Sequence, residues 1–389
     1  MGYYTEYIDR KLNTQQLDDE RKRQLRRISE LRENRDILVY AADLDKPNTP
    51  PAFLSIGYSD LVPFHDQLSN LKGSKLDLIL ETGGGSGEVA EDIVRSLHEK
   101  YEEVAVIVPG WAKSAGTIIA MAGDEILIEP ASAFGPIDAQ LSWQGKVFSA
   151  DALIEGMEKI KREVEESGTL NRAYIPILQA LSPGELQSAE NALNFAKTLV
   201  ADWLARYKFK NWKTHSTTGI AVTEAEKTLR ASEIAATLCN HKKWLTHGRS
   251  IKISDLEAMR LRITDYSQQP DLAEAIRRYH TLLQMTFDTT SIYKVFETQD
   301  SQIFRFAVIT AIPPPQDADA VILDVTCPKC SAVSKLQANL KKRPLQAGHH
   351  RFPADNRFKC PTCAVEIDIT GVRRQIEVQS KRPVIDEYA

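Results

Sequence analysis

The sequence predicts an α/β fold with a mainly parallel sheet, followed by a small cysteine-bearing module. Short apolar runs alternate with helical segments, a proline-rich stretch follows them, and two pairs of cysteines lie beyond it. A chain of 389 residues exceeds one ordinary core, so two or three domains are expected. The hydrophobic content of 42% and the charged content of 26% are typical of globular proteins.

Charge and hydropathy argue against several classes of protein. The formal net charge of -4 gives no global reason to expect nucleic-acid binding, although a local basic patch is compatible with it. No apolar run approaches the roughly 18 residues that span a bilayer. The N-terminus lacks the apolar core of a signal peptide. We therefore expect a cytoplasmic protein without membrane contact and without disulfides.

The first segment, residues 1–36, is strongly charged and is predicted to be helical. Its leucines recur at mostly helical spacing, which indicates an amphipathic helix or a helical hairpin. We expect its basic run to form a solvated helix face, although it offers a contact for an acidic partner: Arg21, Lys22, Arg23, Arg26 and Arg27.

Residues 37–285 show the alternation that βαβ units produce, and they are predicted to be one domain. Helical patterns lie near 60–72 and 87–100, and a longer helical region at 149–210 is interrupted at Ser182-Pro183-Gly184. The apolar runs between them predict strands at 37–42, 75–80, 104–109 and 125–130.

The remainder of the chain predicts three further parts. Two β-like runs separated by a polar turn predict a hairpin extension within residues 286–312. The proline run in residues 313–320 stiffens the backbone and predicts a linker. Residues 321–389 form the cysteine-bearing module.

A glycine loop, Glu81–Gly87, connects a predicted strand to a predicted helix. Glycines there let the backbone adopt φ > 0 and approach a ligand closely, and the following helix directs its first N–H groups at that ligand. The loop does not fit a phosphate-binding motif, since no lysine follows it. Taken alone, it is also compatible with a simple tight turn.

A serine turn, Gly110–Thr117, connects the next strand to its helix. Its small residues leave room for a substrate carbonyl beside the Ser114 hydroxyl, while Lys113 is expected to line the cleft. A serine at this position also caps helices, so capping remains an alternative. Both turns lie at the same end of a parallel sheet, which is the arrangement of a nucleophile facing an oxyanion hole.

Several short motifs carry a family resemblance. They are a T-x-G-G loop at Thr82–Gly85, an S-[AG]-G-T turn at Ser114–Thr117, A-x-D-E-I at Ala122–Ile126, G-P-[IV]-D at Gly135–Asp138 and a W-T-H-like segment at Trp244–His247. Roughly residues 35–270 resemble the serine dehydrogenase proteinase family, which is related to signal peptide peptidase A and more distantly to the Clp protease. Departures occur at Gly83, at the inserted Leu245 and at Gly248.

The resemblance implies a Clp/crotonase-like ββα-superhelix peptidase domain that forms homo-oligomers. It also implies a serine endopeptidase that cleaves polypeptides without ATP. Ser114 would be the nucleophile, and the amides of Gly84 or Gly85 and of Ala115 would hold the oxyanion. Many members of the family carry an N-terminal membrane helix, which is not found in this sequence.

The general base is expected to be a lysine. Clp-type sites use a histidine shortly after the serine, but no histidine lies between His98 and His215. Relatives of signal peptide peptidase A resemble Ser–Lys dyads, and the register of the resemblance favours Lys159, with Lys146 and Lys161 as alternatives. His247 and Asp138 are possible supporting residues, each of which has a purely structural explanation as well.

Two C-P-x-C motifs predict a metal site. Cys327 and Cys330 are separated by 29 residues from Cys360 and Cys363, and two such knuckles form a closed tetrahedral Cys₄ zinc site. Such a site is structural, and the redox alternative lacks a neighbouring βαβ unit. The basic stretch between the knuckles is either an exposed loop or a surface for nucleic acid or an acidic protein.

Two other functions remain open. A catalytically degenerate domain would serve as a scaffold that presents the zinc ribbon to nucleic acid or to a protein. A crotonase-type acyl-CoA enzyme would share the oxyanion loops and would not need Ser114. Peptidase activity is the first expectation, because the two turns together and the family resemblance both favour it.

Overall fold

The computed structural model describes residues 2–137, 139–143, 146–215, 217–307, 319–380 and 382–388. Within them, the strands β1 to β16 are, in chain order, Asp36–Ala42, Lys75–Glu81, Glu103–Val108, Trp111–Ala112, Glu125–Ile128, Ala133–Phe134, Gln140–Trp143, Lys146–Ser149, Thr264–Asp265, Ile292–Glu297, Gln302–Phe306, Ala320–Thr326, Val333–Asn339, His350–Arg351, Arg357–Lys359 and Glu366–Asp368.

The α-helices of the same residues, α1 to α14, are, in chain order, Tyr3–Asp9, Thr14–Leu31, Pro51–Leu54, Leu61–Ser69, Gly87–Lys100, Ala115–Met121, Ala150–Ser167, Ile175–Gln179, Pro183–Trp203, Glu224–Leu238, His241–Trp244, Ile253–Ala258, Pro270–Thr289 and Thr370–Ser380. Short 3-10 turns lie at Tyr58–Asp60, Arg172–Tyr174 and Tyr266–Gln268, and a π-helical turn lies at Leu204–Lys208. Among the described helices, none combines the length and apolarity needed to cross a bilayer.

A seven-stranded sheet in the order β11-β10-β1-β2-β3-β5-β9 organises the first three quarters of the chain. Strands β1, β2, β3, β5 and β9 run parallel, whereas β10 and β11 form an antiparallel hairpin against β1. The parallel strands are apolar runs, as expected where helices cover both faces of a sheet. This arrangement confirms the predicted α/β fold with a mainly parallel sheet.

Each face of the sheet carries its own core. On one face, alternate strand residues such as Leu78 and Val106 pack with helices α5, α6 and α9. On the other face, their neighbours Ile79 and Ile107 pack with helices α2 and α13. Because successive side chains of a strand point to opposite faces, one apolar strand supplies both cores. The sheet is thereby fixed between two helical layers, and its carboxyl-end loops remain accessible.

The predicted elements fall close to the observed ones. The four predicted strands correspond to β1, β2, β3 and β5, and the predicted hairpin is formed by β10 and β11. The hairpin extends the main sheet, because β10 pairs with β1 along residues 39–42. Most of the predicted linker, residues 313–318, lies outside the described residues. The division into domains remains a prediction.

The prediction that the basic run of the N-terminal segment forms a solvated helix face is wrong for two of its residues. Arg21 is fully buried and donates to Glu297 Oε1 (3.1 Å). Lys22 is also buried and donates to the carbonyl oxygens of Thr298 (2.7 Å) and Ser301 (2.5 Å). Helix α2 packs against the sheet and helix α13, so Arg21 and Lys22 meet the buried carboxylate of Glu297 rather than water. The segment thus contributes to the main core.

The C-terminal module has a separate core. Strands β12, β13 and β14 form one sheet, and β15 pairs with β16. Leu336, Phe352 and Ile376 are among the residues of its hydrophobic cluster. This cluster is small, and a module of this size commonly depends on a metal or another cross-link for stability.

Candidate active site and metal centre

The glycine loop between β2 and α5 is held in a fixed position by one residue of another loop. Ile56 donates its N–H to the carbonyl oxygen of Gly84 (2.7 Å) and accepts from the N–H of Ser86 (3.0 Å). Ile56 is buried, with 2% of its surface exposed. The loop therefore behaves as a short extra strand beside Ile56, although it has no regular structure of its own.

The conformation of this loop requires glycine at two positions. The φ angles are +103° at Gly84 and +149° at Gly85, in a region that L-residues rarely adopt. A Cβ atom on Gly85 would lie 2.4 Å from both N and O of Ile56. A side chain on Gly85 would therefore break the contact with Ile56 that holds the loop.

The serine turn is joined directly to the glycine loop. Thr82 donates its N–H to Trp111 O (2.8 Å), and Lys113 donates its N–H to Thr82 O (3.0 Å). The buried carboxylate of Glu81 also accepts from the N–H groups of Gly110 (3.1 Å) and Trp111 (3.2 Å). The two turns predicted to carry the chemistry are thus one connected unit.

Ser114 occupies a strained position at the start of helix α6. Its backbone angles are φ 48° and ψ -115°, which are unusual for a residue other than glycine. The side chain is half-buried and makes no capping hydrogen bond to the helix. The capping explanation for Ser114 is therefore wrong. Strain at a strand-to-helix turn that exposes a serine hydroxyl is a feature of nucleophile sites.

The N–H groups beside Ser114 differ in their availability. The N–H of Gly84 donates to Thr82 Oγ1 (3.1 Å), so it is already engaged. Within the described part of the chain, the N–H groups of Gly85 and Ala115 have no hydrogen-bond partner. Ala115 N lies 3.3 Å from the position of a Cβ on Gly84, which brings the two loops into contact. Unpaired N–H groups near a serine hydroxyl are what an oxyanion hole requires.

A cavity of about 530 Å³ opens beside Ser114. Ile118, Ile137 and Phe195 provide its larger apolar side chains, while its polar side chains come from Ser86, Glu88, Ser114, Gln140, Ser188 and Asn191. Helix α9 forms one wall, which the sequence did not indicate because nothing in its pattern shows which face meets the site. Glu88 is the one titratable residue among the described residues that line this cavity.

Two of the three predicted base residues, Lys159 and Lys161, are not brought to the cavity beside Ser114. Lys159 and Lys161 lie on α7 with exposed side chains, and neither lines the cavity. Lys161 Nζ lies 4.0 Å from Glu158 Oε1. The side chain of Lys146, at the start of β8, and the whole of Asp138 lie outside the described part of the structure.

Lys113 does not line the cleft, contrary to the sequence-based expectation. Its Nζ donates to Phe134 O (3.1 Å) and to Ser250 Oγ (3.0 Å), and its stem packs against Gly135. Burial lowers the pKa of Lys113, and the nearby charge of Lys252 lowers it further. Lys113 therefore fastens the serine turn to two neighbouring segments.

His247 lies one residue away from the cavity. Its Nδ1 is 3.4 Å from Nε2 of Gln140, and Gln140 lines the cavity. The ring is half-buried. This position fits a residue that orients the cavity wall.

The four cysteines of the C-terminal module converge. Their sulfur atoms all lie within 4.8 Å of one another. The Sγ–Sγ distances are 3.5 Å for Cys327 and Cys363 and 3.7 Å for Cys330 and Cys360. Four sulfurs at the usual Zn–S distance around one ion would be about 3.8 Å apart. The site can therefore hold a tetrahedral metal ion.

The two knuckles have the same backbone geometry. In the first, Cys327 N donates to Ala332 O and Ser331 N donates to Cys327 O, each at 2.9 Å. In the second, Cys360 N donates to Val365 O and Ala364 N donates to Cys360 O, also at 2.9 Å. This repeated turn directs both sulfurs of a knuckle to one point, so the site is closed on all sides by cysteine.

Comparisons with known proteins agree with the motifs. Residues 4–176 match the family described as ClpP-like SDH-type serine proteinases, which confirms the resemblance and the ClpP-like α/β fold. Two uncharacterized proteins of Methanocaldococcus jannaschii are 34% identical over 104 residues and 30% identical over 118 residues. These alignments cover 27% and 28% of this chain. The chain spans only 35% and 40% of the length of these relatives.

Two similar solved structures are mutants of the 1510-N membrane-bound stomatin-specific protease, one of them in complex with a substrate peptide. Both are 14% identical to this chain and superpose with a TM-score of 0.30. They cover 55% and 64% of this chain and 78% and 80% of their own chains.

Proposed function

Because residues 4–176 match the ClpP-like SDH-type serine proteinases, we propose that this protein is a serine endopeptidase that cleaves polypeptides without ATP. The observation that carries this proposal is the state of Ser114. Its hydroxyl caps no helix, its backbone is strained, and two unpaired N–H groups lie beside it. A scaffold would have no need for this combination.

The proposed reaction begins with attack of Ser114 Oγ on the carbonyl carbon of a peptide bond. The N–H groups of Gly85 and Ala115 would stabilise the oxyanion of the tetrahedral intermediate, since the N–H of Gly84 is engaged with Thr82. Collapse of the intermediate breaks the C–N bond and leaves an acyl-enzyme. Water then hydrolyses the ester and restores the serine.

A base must accept the serine proton and return it to the leaving amine, and we assign this role to Lys159. The support is its register in the family resemblance and its place on α7, directly after the β7–β8 hairpin that begins at the cavity residue Gln140. A lysine serves as a base near neutral pH only when it is desolvated. Since Lys159 is exposed in the single chain, this role requires that a second copy or the substrate covers it.

The rest of the proposal concerns assembly and the C-terminal module. We propose a cytoplasmic homo-oligomer, in which the Cys₄ site binds a structural zinc ion through Cys327, Cys330, Cys360 and Cys363. A closed site leaves no position for substrate, so zinc would supply folding energy and no catalytic step. The ribbon would recognise a protein or nucleic-acid partner, or the substrate itself.

One observation favours a second function. The described residues that line the cavity include neither a lysine nor a histidine, so among them Ser114 has no base beside it. That arrangement also suits a catalytically degenerate scaffold that presents the zinc ribbon to a partner. The two functions differ in whether Ser114 catalyses the hydrolysis of a peptide bond.

The deciding experiment is hydrolysis of quenched fluorescent peptides of mixed sequence by the full-length protein and by Ser114→Ala. The peptidase proposal predicts cleavage by the wild type and none by the variant at equal folded concentration. Equal cleavage by both proteins would remove Ser114 from the mechanism. No cleavage by either protein, at any oligomer concentration, would favour the scaffold.

A further inference from the structure

Strand β10, which lies beyond the residues matched by the family, carries a buried lysine. Only 2% of the Lys294 side chain is exposed, and its Nζ lies 2.7 Å from Asp60 Oδ2. The same Nζ donates to the carbonyl oxygen of Ser55 (2.6 Å). Burial lowers the pKa of Lys294, and the charge of Asp60 opposes that effect.

Asp60 also accepts hydrogen bonds from two other residues of the same region. Its Oδ2 also accepts from the Tyr40 hydroxyl (2.7 Å) and from the N–H of Gly57 (2.9 Å). The side chain is 2% exposed, so water does not compete for these bonds. The Lys294–Asp60 pair therefore holds Ser55 and Gly57, the two neighbours of Ile56.

Ile56 is the residue that holds the glycine loop through Gly84 O and Ser86 N. A continuous path of hydrogen bonds thus leads from Lys294 on β10, through residues 55–57, to the loop that carries the N–H of Gly85. We infer that Lys294 and Asp60 are positioning residues, which set the oxyanion-binding conformation of Gly85 by fixing Ile56. This inference rests on the proposed peptidase function.

The expected effect follows from the chemistry of a buried ion pair. Removing one partner leaves the other charge buried and unpaired, which is strongly unfavourable, so residues 55–57 would shift to solvate it. The loss of a single oxyanion donor lowers kcat by about 10²–10³-fold. We expect misplacement of one donor to lower kcat by about 10–100-fold, with KM nearly unchanged because the interaction is made in the transition state.

The test compares full-length Lys294→Met with a matched control, Lys46→Met. Lys46 is likewise buried, and its Nζ bonds to the carbonyl oxygens of Phe287 and Thr290, away from residues 55–57. The value of kcat is calculated per active site titrated to completion with a fluorophosphonate, which removes effects of unfolded protein, and KM is measured in the same assays. The double variant Lys294→Met/Asp60→Asn should recover part of kcat, because no unpaired charge remains.

Loss of kcat in Lys294→Met, with a control that retains it, is the expected result. A per-site kcat within twofold of the wild type would overturn the inference. Asp60→Asn replaces Lys294→Met if that variant does not fold. Hydrogen exchange at residues 83–86 gives a second readout, which should accelerate in Lys294→Met and not in Lys46→Met. If the wild type shows no Ser114-dependent activity, the proposed function fails, and hydrogen exchange then tests the positioning role by itself. Exchange at residues 83–86 that is the same in Lys294→Met as in the wild type would overturn that role.

Discussion

Gly84 and Ser114 lie so close together that a Cβ atom on Gly84 would be 2.6 Å from Cβ of Ser114. The same Cβ would be 2.8 Å from Lys113 O, and φ of Gly84 is +103°. Gly84→Ala should therefore push the glycine loop away from the serine turn. We expect peptide hydrolysis to fall by at least about 100-fold, which is the effect of losing an oxyanion donor.

The adjacent glycine provides the control for this variant. A Cβ on Gly83 would meet only Leu44 Cδ2 at 3.5 Å, which is an ordinary contact. Gly83→Ala should keep activity within a few-fold of the wild type, as measured by steady-state hydrolysis at matched folded concentration. Equal loss in both variants would mean that loop flexibility, and not the approach to Ser114, determines activity.

Alanine substitutions at three lysines identify the base. Lys159→Ala should reduce kcat by about 10²–10⁴-fold, the usual contribution of general base catalysis. Lys161→Ala, whose side chain is exposed and near Glu158, is the matched change on the same helix and should have little effect. If kcat fell by this factor in Lys146→Ala or Lys161→Ala and not in Lys159→Ala, the Ser–Lys dyad would stand, but the base would be that other lysine.

Metal removal should affect the C-terminal module and spare the peptidase reaction. We expect about one zinc per chain by elemental analysis, lost in Cys327→Ser, because four thiolates are needed to close the site. Chelation should unfold the module, whose hydrophobic cluster is small. Hydrolysis of a short peptide should persist. Loss of that hydrolysis in a variant that remains assembled would place the ribbon in the catalytic machinery.

Lys208 should make stability depend on pH in the alkaline range. Burial lowers its pKa from 10.5 to about 8. Between these values the unfolded chain binds more protons than the folded chain, so the free energy of unfolding rises with pH from about 8 to 10.5. Lys208→Met should remove this rise and stabilise the protein by about 1–3 kcal/mol at pH 7. Urea unfolding of the wild type and the variant at pH 7 and pH 9.5 measures the rise with pH and the stabilisation at pH 7. If the free energy of unfolding of Lys208→Met rose with pH as much as that of the wild type, the rise would not come from Lys208.

The sequence predicted the parts of the fold whose pattern is local. Apolar runs of strand length, with helical segments between them, indicated β1, β2, β3 and β5. The paired C-x-x-C motifs indicated the convergence of four sulfurs, because each knuckle carries its own geometry. The predictions for Ser114 and the glycine loop also depended on short contiguous motifs.

Long-range contacts explain what the sequence did not predict. The charged run that contains Arg21 predicts a solvent-exposed helix face. The ion-pair partner of Arg21, Glu297, is distant in the chain and lies in the main sheet. Ile56 and the α9 wall at Phe195 carry no motif, and only the packed structure places them at the site. The identity of the catalytic base remains a prediction, because it depends on whether a second copy of the chain or the substrate covers Lys159 on α7.

The role proposed for the Ser114 hydroxyl is that of the nucleophile. Its most direct test is reaction of the full-length protein with a fluorophosphonate probe, followed by mass mapping of the adduct. This role predicts one adduct per folded site, located on Ser114, and no adduct in Ser114→Ala, whose folding should be unaffected because the hydroxyl makes no capping bond. An adduct elsewhere, or a wild type that is folded and assembled but inert to the probe, would contradict it.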